Sequence, residues 1–270
     1  MTQTSTGAPR VQSLARAFEV LERLADAGGT SSLSELVTDT GLAPATIHRL
    51  IQSLVAGGYV RQEPSRRYAL GPRLIRIGEI AGRSFGSWAT PFLAELVEQS
   101  GETANMAMLE GDGAVYVAQA PSTHTVRMFT EVGRRVMLHC TGVGKALLAG
   151  LPEDEVRRIV GRVGLPPETE RTIRSLDALL AALGRVNEQG YAVDDMEQEV
   201  GVRCVAVRLP GALARVAISV SGPSGRLTEA RVGQLAPLMH DVAVRLAAAQ
   251  QGAAGPESGA VTGPAEEARG

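Results

Sequence analysis

The apolar residues of this chain change their spacing at Gly101, and that change divides the molecule. Before Gly101 they recur every three or four residues, the period of a helix face. After it they alternate in short runs, the period of a strand, with helical stretches set between them. At roughly 100–200 residues per domain, 270 residues leave room for two modules. The expected division is a tail at 1–9, a first module at 10–71, a linker helix at 72–86, a second module at 87–250 and a tail at 251–270. Both tails are small and polar or rich in Gly, Ala, Pro and Glu, too poor in apolar surface to pack.

In the first module Leu14, Ala17, Phe18, Leu21, Leu24 and Ala25 mark one helix, stopped at Gly28-Gly29. Ser32 and Glu35 form a capping box for a second, which Gly41 ends. Pro44 suits the first turn of a third, whose buried stripe is Ile47, Leu50, Ile51, Leu54 and Val55. Two short runs, 59–62 and 67–70, flank a proline-containing turn and predict a hairpin. Leu74, Ile77 and Ile80 then line the linker helix and need a partner. Helix, short turn, helix and hairpin suit either a winged helix-turn-helix, which lays its third helix in a DNA major groove, or a small helical domain whose polar face is merely solvated. On that helix Ala45, Thr46, His48, Arg49, Gln52 and Ser53 turn away from the stripe. Arg49 and Gln52 suit guanine and adenine edges, and Thr46 and Ser53 suit phosphate. Arg61, Arg66 and Arg67 on the hairpin suit flanking phosphates or a minor groove. Residues 1–83 hold ten Arg against seven carboxylates, a small basic excess over an otherwise acidic chain.

The second module reads as α/β of the α+β kind. Strands are expected at 103–109, 114–120, 126–129, 191–194, 203–208 and 215–221, with helices at 146–151, 153–163, 176–189 and 228–250. No apolar run approaches the ~18 residues of a membrane span, and the N-terminus shows no secretory pattern. Two cysteines make no disulfide framework, so a cytoplasmic protein is expected. Catalytic patterns are wanting. A phosphate loop ending at Gly144-Lys145 would need glycine at His139 and a hydroxyl at Ala146. His139 and Cys140 are adjacent, which suits strand packing better than a zinc pair or a nucleophile facing its base. Neither metal nor cofactor is expected, and the chain is not expected to be an enzyme.

Some residues do suit a ligand. Backbone N–H groups at Gly142, Val143 and Gly144, ahead of a helix, could converge on an anion or merely make a tight turn. Ser219 and Ser221 share one face of a strand, as donors to a small carboxylate or as packed serines. Cys204 sits on another strand, where free cysteine is usually a small buried hydrophobe. Asp194, Asp195, Glu197 and Glu199 form an acidic loop, either near this pocket or solvated.

Longer motifs bring these residues together. VQSLARAFEVLERL, LSELVTDTGLAPATIHRLIQSLVAGGYV and YALGPRLIRIG resemble the front domain of IclR-type bacterial transcriptional regulators. LHCTGVGKALLA, GYAVDDMEQEVGVRCVAV and AISVSGPSGRLT resemble the effector-binding domain of that family, so the likeness runs from Val11 to Leu246. It implies a winged helix-turn-helix, a linker helix and a GAF-like domain with an antiparallel sheet flanked by helices. It implies a homodimer or tetramer on palindromic double-stranded operator DNA, and a repressor of a catabolic operon. The back half resembles the allantoin-utilisation branch, which implies a glyoxylate, ureide or other small-carboxylate effector. In that branch the ligand-holding positions fall on Gly142, Val143, Cys204, Ser219 and Ser221, with Val202 as an apolar wall. Three departures stand out. Ala45 replaces a basic residue, Cys140-Thr141 a smaller Ala-Ser pair, and Val202 a leucine. The competing reading is a small-molecule binding protein or an enzyme that uses the sensor fold without DNA.

Overall fold

The computed structural model describes residues 11–85, 87–211 and 215–253. It divides into two compact units at Ala81/Gly82. The expected tail at 1–9 lies outside the described residues, as does 254–270 of the expected tail at 251–270.

In the first unit α1 (Gln12–Asp26), α2 (Leu33–Thr40) and α3 (Pro44–Ala56) pack on one another. Val20, Leu24, Leu36, Ile47 and Ile51 close the core completely. Ser32 caps α2 in a full capping box with Glu35, and Gly41 ends it at φ 66°. That left-handed residue lets three residues reverse the chain before α3, a turn other side chains adopt with difficulty. A small sheet of β1 (Thr30–Ser31), β2 (Val60–Gln62) and β3 (Tyr68–Leu70) follows, in the order β1-β3-β2. Arg67 ties it to α2, donating to Glu35 Oε2 at 3.0 Å and to the Thr30 carbonyl at 3.3 Å. α4 (Arg73–Phe85) carries the boundary between the units, and its Ile75 and Ile77 are exposed.

In the second unit a 3-10 turn (Ser87–Ala89) leads into α5 (Thr90–Ser100). Then come β4 (Thr103–Glu110), β5 (Gly113–Ala120), β6 (Arg135–Val136), α6 (Gly142–Leu148), α7 (Glu153–Val163) and α8 (Leu176–Gln189). β7 (Ala192–Asp195), β8 (Val202–Arg208), β9 (Val216–Pro223) and α9 (Glu229–Ala253) complete the described part. The strands form one antiparallel sheet in the order β6-β5-β4-β9-β8-β7. Alternation gives it two faces. Met106, Val205, Val207, Ile218 and Val220 pack with α5 and α9. Ala107, Ala206 and Ala217 point the other way, with α6, α7 and α8.

Two expectations fail. Residues 126–129 are not a strand. The outer edge of β5 is taken by β6, and the 121–134 loop hangs on single bonds instead. Thr103 donates to the Met128 carbonyl at 3.2 Å, Thr130 to Asn105 at 2.7 Å, and Arg226 to the Val126 carbonyl at 2.9 Å. The helix expected at 146–151 begins at Gly142 and ends at Leu148. Its glycines are there for close packing. A Cβ on Gly142 would lie 2.8 Å from Cys204 Sγ, and one on Gly144 2.3 Å from the Leu138 carbonyl oxygen.

Candidate functional site

The first candidate surface is the outer face of α3. Ala45, His48, Arg49, Gln52 and Ser53 are exposed there and Thr46 is half-buried. The Ser53 hydroxyl is engaged by its own helix, donating to the Arg49 carbonyl at 3.0 Å. Arg49 and Gln52 have no side-chain partner among the described residues. Arg66 sits in the hairpin turn at φ 66°. The other hairpin arginines hold carboxylates, Arg61 on Glu63 at 3.1 Å and Arg67 on Glu35. The Ser32 N–H, with the Ser31 hydroxyl and Arg67 behind it, holds the Glu35 carboxyl down at about 2. Glu35 is therefore ionised at any physiological pH and remains a partner for Arg67, in a pair that is open to solvent.

The second is a cavity of about 60 Å³ between α6 and the sheet, room for about four waters or a molecule of comparable size. Gly142, Val202, Cys204 and Ser221 line it together, from α6, β8 and β9. Register explains the meeting, because Cys204 pairs with Ser221 across β8 and β9. Ser219 lies one step deeper on the same face, fully buried, and its hydroxyl has no hydrogen-bond partner among the described residues. Asn105, opposite it on β4, has an unpartnered buried amide nitrogen. The Val143 side chain packs in the core and does not line the cavity.

The acidic segment is not a solvated loop. Asp194 is 4% exposed, pairs with Cys204 across β7 and β8, and lines the cavity. Glu197 is buried against Lys145 of α6 in an ion pair. Asp195 accepts from Arg203 at 2.8 Å and also pairs with Arg171. Glu199 is exposed at the cavity rim. Sequence reading missed Tyr116 and Gln198 as cavity residues, and left Asp194 open between a place near the pocket and a solvated loop. For Asp194 the alternation of 191–194 was a usable signal, but the pairing of β7 with β8 was not visible.

The chemistry here is recognition. Burial pushes the Cys204 thiol up to about 11, with Asp194 adding to it, and the Cys140 thiol up to about 12. Neither is a thiolate at neutral pH, so neither is a ready nucleophile. Cys140 donates instead to Gln198 Oε1 at 3.1 Å. His139 lies in the bend before α6, not in a strand, with Nε2 3.0 Å from the Pro166 carbonyl oxygen, and burial lowers its pKa. Among the described residues no cluster of three or more His, Cys, Asp or Glu side chains suits a metal ion. No helix there is long and apolar enough to cross a membrane.

Residues 13–64 match the IclR helix-turn-helix domain, and residues 83–248 match the bacterial transcriptional regulator IclR C-terminal domain. The chain belongs to the IclR family. It is 35% identical over 249 residues to the transcriptional repressor IclR of Escherichia coli K12, covering 88% of this chain and 89% of that protein. It is 37% identical over 237 residues to the repressor AllR of the same strain, covering 86% and 88%. A solved transcriptional regulator from Rhodococcus sp. RHA1 superposes with a TM-score of 0.74 at 30% identity, over 90% of this chain and all of that one. The IclR-family chain is therefore a DNA-binding transcriptional repressor with an effector-binding domain, and not an enzyme.

Proposed function

We propose that this repressor changes its grip on operator DNA when a small carboxylate, of the glyoxylate or allantoin-pathway kind, enters the cavity beneath α6. The observation that carries this reading is the meeting of Gly142, Val202, Cys204 and Ser221 in a cavity of about 60 Å³, with the buried Ser219 hydroxyl one step behind it. An unmet buried donor is unfavourable, and an anion there would meet it. Ser221, the Cys204 thiol and the amides of Gly142 and Val143 supply further donors, and Val202 an apolar wall. A cavity of about 60 Å³ suits a small molecule, and the resemblance of the back half to the allantoin-utilisation branch supports that class. On the DNA side we assign base reading to Arg49 and Gln52, with Ala45 and His48 in the groove beside them. Thr46, Ser53 and Arg66 suit phosphates, while Arg61 and Arg67 reach DNA by releasing Glu63 and Glu35. Exposed Ile75 and Ile77 on α4 support pairing of two copies as a homodimer, or of dimers as a tetramer.

The double change Ser219→Ala and Ser221→Ala removes two hydroxyls and hardly alters packing. At about 1–3 kcal/mol per charge-assisted bond, affinity for the carboxylate should fall at least about tenfold. Calorimetry with glyoxylate and the other small carboxylates checks this. The variant should bind operator as the parent does, and the effector should no longer change that binding. An unaltered affinity would mean the serines only pack.

A further inference from the structure

The cavity wall holds one ionisable group that the donor set above leaves unused. Asp194 is 4% exposed and lines the cavity beside Cys204 and Ser221. Its Oδ1 accepts from the backbone N–H of Glu197 at 2.8 Å and of Gln198 at 3.3 Å. Its Oδ2 has no donor among the described residues.

The groups facing it from each neighbouring element do not neutralise it. Glu197, in the turn after β7, adds repulsion. Lys145 of α6 lowers the Asp194 pKa, but its ammonium sits on Glu197. Arg134 and Glu199 line the cavity from its exposed rim, one of each sign. Tyr116 of β5, Cys140 before α6 and Cys204 of β8 are uncharged at neutral pH, because burial raises all three. The Asp194 carboxyl is thus held up at about 7, by burial first and against the pull of two backbone N–H groups.

A second carboxylate entering so small a space makes two like charges share one site, and such a pair keeps a proton. We propose that Asp194 takes up one proton from solvent when a small carboxylate occupies this cavity, so that the repressor binds anion and proton together. This rests on the small-carboxylate reading of the pocket given above. The proton goes to Asp194 Oδ2, which changes from a repelling acceptor to an O–H donor toward the ligand, and no ligand bond breaks. A neutral ligand offering N–H groups would instead meet the charged form and take up no proton. Asp194 would therefore decide which charge class the pocket accepts at a given pH.

The linkage sets the sign. Above the pKa of the empty site, and below that of the occupied one, each pH unit should cost tenfold in carboxylate affinity. The test is calorimetry of the full chain with glyoxylate, between pH 6 and pH 8.5, in pairs of buffers with different ionisation heats. The parent should take up close to one proton per ligand at pH 8 and far less at pH 6. Asp194→Asn keeps an oxygen for the Glu197 and Gln198 amides and puts an N–H in place of the acquired O–H. It should bind glyoxylate with little pH dependence and no proton uptake, and more tightly than the parent at pH 8. Binding by the parent without proton uptake at pH 8 would overturn the role of Asp194 and leave the carboxylate reading standing. No heat at either pH, with glyoxylate or any other small carboxylate, would overturn both. The parent measurement decides the matter even if the variant folds poorly.

Discussion

Replacing Lys145 by methionine should remove about 3–5 kcal/mol of folding stability at neutral pH, the usual loss on breaking a buried pair from one side. Lys145 is 3% exposed, on a helix whose every residue is buried. Its partner Glu197 has Oε1 on the ammonium and a buried Oε2 with no hydrogen bond among the described residues. Without Lys145 the carboxylate has no cation of its own. Burial already raises the Glu197 pKa and Lys145 opposes that, so the variant raises it further. A carboxyl whose folded pKa lies above its unfolded one destabilises the fold only where it must ionise. Below the unfolded value that penalty is absent. It grows as pH rises from there toward the folded value. The stability gap between parent and variant should therefore be smaller at pH 5 than at pH 8. Urea denaturation at both pH values checks this. Lys145→Met with Glu197→Leu should recover most of the loss, because an apolar pair leaves no charge buried. A gap below about 1 kcal/mol at pH 8 would mean that water reaches the pair.

Arg49→Ala should weaken operator binding by about 1–3 kcal/mol, roughly fivefold to 150-fold, and relax sequence preference at one base position. Arg49 is exposed on α3 and holds no carboxylate among the described residues. Its removal should leave folding stability within about 0.5 kcal/mol of the parent. Titrations at matched salt with operator and with scrambled DNA separate the possible roles. A base contact costs more on operator than on scrambled DNA. A phosphate contact costs the same on both and lowers the salt slope by about one. Equal operator affinity for parent and variant would remove Arg49 from the interface.

How much of this was legible in the sequence depends on how local each signal is. The Ser32–Glu35 capping box, the stop at Gly41 and the turn between β4 and β5 are written in neighbouring residues, and they appear as expected. Residues 126–129 misled because a short apolar run has the period of a strand whether or not an edge is free to receive it. The edge of β5 is held by β6. The first turn of α6 was missed for the opposite reason. Gly142 and Gly144 look like breakers, whereas Cys204 and the Leu138 carbonyl leave no room there for a Cβ. In the cavity, Gly142, Val202, Cys204 and Ser221 were foreseen through the family's motifs. For Asp194 the choice between a place near the pocket and a solvated loop stayed open until strand order set it beside Cys204. The burial of Lys145 on Glu197 spans 52 positions and leaves no local trace.

In the proposed function, one chain joins operator binding to a small ligand. The most direct test is fluorescence anisotropy of the full chain with DNA from upstream of its own gene, over a range of salt, with and without glyoxylate and other small carboxylates. Binding should be tight, fall steeply as salt rises, and shift by at least about tenfold on adding one of these carboxylates. A chain that binds no upstream DNA at about 50 mM salt, or whose binding none of them alters, would contradict that function.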